Sequence, residues 1–129
     1  MRTLIKDGMI VTSEHEFKGD ILIEGTKIQA LGRNLRVEAD EVINAEGMYI
    51  LPGGVDQHAH FSFEFMGQRT KGFETTNAAA LGGTTTVIEF VNQEEGKGLV
   101  ETVEDYKKEW VAGISMVDYS FHPVITNPT

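Results

Sequence analysis

The stretch Leu51-Pro52-Gly53-Gly54-Val55-Asp56-Gln57-His58-Ala59-His60 divides the chain and decides how the rest is read. Pro52, Gly53 and Gly54 make a turn, and the residues after them make a short strand with histidines at i and i+2. An extended strand points both imidazoles to one face and Ala59 to the other. Two neutral ring nitrogens on one face suit a shared zinc-like ion. The same spacing also describes two half-buried or exposed strand histidines, and a His-x-His supplies two ligands only, so the spacing leaves both readings open.

Working outward, two textures meet near residue 50. Before it, Thr3-Leu4-Ile5, Met9 to Thr12, Asp20 to Glu24, Lys27 to Leu31 and Glu41 to Asn44 are short β-prone runs, broken by Asp7-Gly8, Lys18-Gly19, Glu24-Gly25, Leu31-Gly32 and Glu46-Gly47. Closely spaced glycine turns between short strands predict antiparallel hairpins, so residues 1–51 are expected to form a small β domain. After it, strand and helix patterns alternate: a strand over Val55 to Phe61, a helix near Gly72 to Leu81, a strand over Thr84 to Val91, a helix near Leu99 to Gly113 and a strand over Tyr119 to Thr126. Such alternation over 52–129 predicts βαβ crossovers and a parallel sheet. Leu99, Val103, Tyr106, Trp110 and Ile114 recur at spacings of three and four, an apolar stripe for packing on that sheet. Gly82-Gly83 ends the first helix, and the β-branched run that follows fits a strand covered by helices.

The balance of charge narrows the function classes. Lys plus Arg is 11 and Asp plus Glu is 20, a formal net charge of −9, which repels phosphate backbones and argues against nucleic acid or an anionic membrane as partner. Cysteine is absent, so there is neither a disulfide frame nor thiolate chemistry. No basic segment followed by an apolar one opens the sequence, and no apolar run approaches a membrane span; a cytoplasmic setting is the expectation.

The run Leu51 to His60, continued by Phe65-Met66-Gly67-Gln68-Arg69, Ala78-Ala79-Ala80-Leu81-Gly82-Gly83-Thr84-Thr85 and Asp118-Tyr119-Ser120-Phe121-His122, resembles the N-terminal part of the dihydropyrimidinase and hydantoinase branch of the amidohydrolase superfamily. The blocks stand in the family's order, and the likeness runs from near Met1 to the end. It reaches only about the first quarter to third of a complete member, whose barrel alone needs about 250 residues. The resemblance implies an α/β protein with the N-terminal part of a small antiparallel β-sandwich domain over 1–51. Over 52–129 it implies the first βαβαβ units of an incomplete TIM (β/α)8 barrel.

It further implies a hydrolase acting on the C–N bonds of a cyclic amide. Metal-activated hydroxide would open a dihydropyrimidine or hydantoin ring, and the 129-residue chain alone is expected to be inactive. His58 and His60 are the implied ligands of the more buried of two divalent ions, zinc or manganese. A carboxylated lysine, two further histidines, an aspartate, the proton-shuttling aspartate and the oxyanion-binding tyrosine belong to later strands, so no catalytic residue is assigned here. None of Lys6, Lys18, Lys27, Lys71, Lys97, Lys107 and Lys108 is given the bridging role. Asp56, at i−2 from His58, reads as a supporting residue or a turn cap. Partners implied are a small cyclic imide or ureide and further copies of the chain, as a dimer or tetramer.

Phe63, Phe65 and Met66 follow the histidines on the first βα loop and are the candidate substrate-binding residues, since such loops wall the sites of barrel enzymes; packing on a neighbour or a subunit interface is the other reading. His15, between Glu14 and Glu16, reads as a surface residue, and His122, beside Pro123, as a hydrogen-bonded structural one. Two alternatives stand beside this reading. One is an allantoinase- or dihydroorotase-type ring hydrolase, although Ser62 occupies the position where dihydroorotases typically carry an arginine. The other is a non-catalytic dihydropyrimidinase-related scaffold, against which the intact histidines speak.

Overall fold

The computed structural model describes residues 1–70, 72–111 and 113–127, and Lys71 lies outside them. The chain folds as two compact units, Met1–Pro52 and Gly53–Thr129. The protein is a mixed α/β chain made mostly of strands.

The first unit is one five-stranded sheet of β1 (Arg2–Val11), β2 (Glu16–Glu24), β3 (Lys27–Gly32), β4 (Glu41–Asn44) and β5 (Tyr49–Ile50). The glycine-punctuated hairpins behave as their turns predict: β1 pairs with β2 and β2 with β3, both antiparallel. The expectation of an antiparallel unit needs correction for the remainder, because β4 and β5 both run parallel to β1. The reason lies in residues 33–40, which carry the chain back across the sheet so that it re-enters in the direction of β1. Asp20 braces that return. Its Oδ2 accepts the Leu35 N–H (2.8 Å) while Oδ1 accepts the N–H of Asp7 (2.9 Å), at the bulge of β1 where φ reaches +62°. Leu4, Ile10, Ile21, Leu22 and Ala45 form the buried apolar set.

In the second unit β6 (Gly54–Ala59), β9 (Thr84–Asn92) and β10 (Asp118–Val124) form a parallel sheet in the order β6-β9-β10, with a small antiparallel hairpin of β7 (Glu64–Phe65) and β8 (Gln68–Arg69) after β6. The first crossover is a 3-10 turn at Gly72–Thr75 leading into α1 (Thr76–Leu81). The second is α2 (Leu99–Tyr106), continued by a π-helical turn at Lys107–Val111. Gly83, at φ +87°, closes α1 by donating to the Ala80 carbonyl and lets the chain turn directly into β9.

Beside β9 lies the core: Ala59, Phe73, Val87 and Val111, with Phe61, Tyr106, Trp110, Val117 and Phe121 packed against it. Burial of Phe73 alone stabilises the unit by about 2–3 kcal/mol. The expected helix stripe is only partly the buried one. Thr102 and Val111 are fully enclosed while Ile114 stays 42% exposed. The π turn is the cause: its i→i+5 winding advances each residue through a smaller angle than an α turn, so Val111 comes onto the inner face and the later stripe position leaves it.

Candidate metal centre

Alternation along β9 sorts the second unit into two faces. Val87, Glu89 and Val91 are buried on the side of the core, whereas Thr86, Ile88 and Phe90 are half-buried on the other. β6 follows the same rule: Ala59 is 5% exposed against the core, and His58 and His60 stand together on the opposite, exposed face. The C-terminal ends of the three strands thus present one row of rings. Phe90 has ring centroids 4.4 Å from His58, 5.4 Å from His60 and 5.1 Å from His122.

The two imidazoles converge through Nε2, 3.1 Å apart. At that distance the space between the nitrogens takes one proton or one cation, not two protons. Two nitrogens each about 2.0–2.1 Å from a tetrahedral zinc stand roughly 3.3 Å apart, so the donor set fits a shared ion. Among the described residues no group of three or more His, Cys, Asp or Glu side chains gathers as a metal site, and the pair stands as two ligands. Asp56 supports it from below. The β6–β9 register slips between Asp56 and Ala59, and within that slip the Asp56 Oδ1 accepts the His58 backbone N–H at 3.0 Å. His15, exposed in the first unit, lies against Phe17. His122 is exposed and packs on Phe90, and no hydrogen bond of its ring is seen among the described residues, in contrast to the hydrogen-bonded role expected of it.

Phe63, Phe65 and Met66 lie on the hairpin and are 50%, 65% and 88% exposed. Met66 and Gly67 take φ of +52° and +72°, the two left-handed residues of a type I′ turn, so the tip is a defined structure. Its base is tied by Thr70, whose hydroxyl donates to the Phe61 carbonyl (2.6 Å) and accepts the Phe63 N–H (3.1 Å). Its outer strand is tied by Arg69, whose guanidinium lies 3.5 Å over the Trp110 ring and bonds Glu109 at 2.6 Å.

Sequence reasoning missed Glu89 and Tyr106 as residues of this region. Glu89 is 1% exposed; its carboxylate accepts the Phe61 N–H (2.7 Å), the Ser62 N–H (3.3 Å) and the Tyr106 hydroxyl (3.0 Å). Burial pushes the Tyr106 phenol well above its ordinary range. The Ser62 hydroxyl opposes that rise, though its geometry falls short of a hydrogen bond, and the neighbouring Glu89 charge adds to it. A charged residue inside the β-branched run Thr84 to Phe90 was the available signal.

No family model matches the chain. Individual proteins do. It is 43% identical over 131 residues to a D-hydantoinase of Geobacillus stearothermophilus, covering 100% of this chain and 28% of that one. It is 39% identical over 126 residues to a dihydropyrimidinase of Dictyostelium discoideum, covering 95% and 25%. Among solved structures, a D-hydantoinase superposes with a TM-score of 0.92 at 39% identity over 100% of this chain and 28% of its own. The dihydropyrimidinase of Brevibacillus agri NCHU1002 gives 0.90 at 36% identity, covering 98% and 28%. The chain therefore spans about 28% of the length of the D-hydantoinases it matches. Similarity in sequence and in fold agree over the whole of these residues: the chain is similar throughout to the N-terminal portion of D-hydantoinases and dihydropyrimidinases.

Proposed function

We propose that this chain supplies the first two metal ligands and one wall of the substrate site to a hydrolase that opens the ring of a cyclic imide or ureide, a dihydropyrimidine or a hydantoin. The observation that carries the reading is the convergence of His58 and His60 through Nε2 at the C-terminal end of a parallel strand. That end is where βα-barrel enzymes keep their chemistry, and the sheet is read as the first strands of such a barrel, with the five-stranded sheet as part of a β-sandwich domain. A divalent ion held there, zinc or manganese, supplies Lewis acidity toward a carbonyl and makes water a nucleophile near neutral pH.

This chain's own residues bind and orient. His58 and His60 hold the ion, one of two in the complete site. Asp56 fixes the backbone of His58, and Phe63, Phe65 and Met66 offer an apolar surface to a substituent on the ring. Further ligands and the catalytic acid–base group are assigned to residues outside this chain, as are the tetrameric or dimeric assembly and its cytoplasmic setting to the whole protein.

The test pairs zinc titration of the 129-residue chain with ring-opening assays on dihydrouracil and phenylhydantoin. The chain alone should bind zinc weakly and hydrolyse neither compound, since two imidazoles leave the ion short of a closed site. A protein extended to the length of its relatives should hydrolyse at least one. His58→Ala or His60→Ala should cost it bound metal and orders of magnitude in turnover with the fold retained. Variants that kept both metal and turnover would overturn the assignment.

A further inference from the structure

Glu89 is a fully enclosed carboxylate on the face of the sheet opposite the histidines, and the proposed reaction gives it no task. Its partners reveal one. The β6–β9 register ends with Ala59 opposite Glu89. Beyond that point the chain of β6 departs, and the next two N–H donors past His60 that are held, those of Phe61 and Ser62, are taken by the Glu89 side chain instead of the β9 backbone. A carboxylate accepting backbone N–H bonds in an enclosed site makes stronger bonds than a neutral acceptor does. Tyr106, from α2, donates to the same oxygen that Ser62 uses and keeps the carboxylate aimed.

We propose that Glu89 is a positioning residue for the histidine pair: reaching from the core face, it grips the backbone directly after His60 and so sets that ring against His58. The consequence for metal binding rests on the reading of the pair given above, whereas the placement of His60 is testable without any metal. A carboxylate that served only to fill the core would behave like its neighbour Val87, two residues earlier on the same face and also fully buried.

The experiment uses the isotopically labelled 129-residue chain and three variants, Glu89→Gln, Tyr106→Phe and Val87→Ala. Three quantities are read: hydrogen exchange at the Phe61 and Ser62 amides, nuclear Overhauser contacts between the His58 and His60 rings, and zinc affinity. In the wild type the two amides should exchange as slowly as those of the β9 ladder, and the ring contacts should be present. Glu89→Gln keeps the volume but leaves a single acceptor oxygen and turns an amide NH2 toward one of the two backbone donors. It should release at least one of the two N–H groups, weaken or abolish the ring contacts and weaken zinc binding about ten-fold. Tyr106→Phe should weaken it about three-fold. Val87→Ala should lower the melting temperature and leave the ring contacts and zinc affinity unchanged.

Wild-type amides that exchange as in an unstructured chain overturn the proposal. So do ring contacts and affinity that survive Glu89→Gln, or that fall equally in Val87→Ala. If Glu89→Gln does not fold, the wild-type exchange and Tyr106→Phe decide. A wild type that shows slow exchange and ring contacts yet takes up no zinc defeats the metal reading while supporting the placement of His60 by Glu89.

Discussion

Asp20 shows how one side chain can hold two departures from regular strand geometry. Burial pushes its carboxyl up, but the N–H groups of Asp7 and Leu35 and the Lys6 charge more than offset this and hold it below the ordinary value of 3.8. A group whose pKa is depressed by folding adds stability above its unfolded pKa and loses it as pH falls through the folded one. Asp20→Asn, with a single acceptor oxygen for two N–H donors, should therefore unfold in less urea than wild type at neutral pH. The difference should shrink as the pH falls below about 3.8, once the wild-type carboxyl protonates. Urea titrations from neutral to strongly acid pH check it, and a gap that stays constant would contradict the role given to the charge. At this same scale the convergence of His58 and His60 was legible, because the alternation of a strand depends on neighbours in sequence alone. Glu89 was not, since its task exists only where β6 stops pairing opposite it, and that is decided by a partner 28 or so positions away.

The hairpin of β7 and β8 is the element that bears the candidate substrate wall, and its shape depends on a turn few residues can make. A β-branched residue at Gly67, where φ is +72°, meets the left-handed penalty of about 1–2 kcal/mol. Gly67→Val should accordingly reduce hairpin population, seen as lost cross-strand contacts between Phe65 and Gln68, with the β9–β10 pairing intact. A Gly67→Val hairpin as ordered as the wild type would count against the turn as its organiser. Elements were read with uneven success for physical reasons. Both crossover helices and the parallel strands follow from local periodicity, and their positions agree closely with the pattern. The parallel return of β4 depends on the path of residues 33–40 across the sheet, and the phase of the second helix on a π turn; neither leaves a periodic signature.

For the molecule as a whole, the relevant fact is that β6 and β10 each pair on one side only among the described residues. Val55, Tyr119 and Ile125 are exposed at or beside those strands. Unpaired strand edges with apolar side chains beside them are templates for another chain. Sedimentation of the 129-residue chain should show concentration-dependent association at micromolar levels, and a single compact monomer across that range would refute the expectation. One further consequence comes from the two faces of β9. Positions 87, 89 and 91 face the core and positions 86, 88 and 90 the other side, where Phe90 meets the histidine rings, one residue apart. Heritable variation in foldability and in chemistry is thereby written on alternate codons of a single strand, and a lineage can revise one register while leaving the other untouched. Glu89 belongs to the first register yet holds the backbone directly after His60, so at that position the two are inherited together.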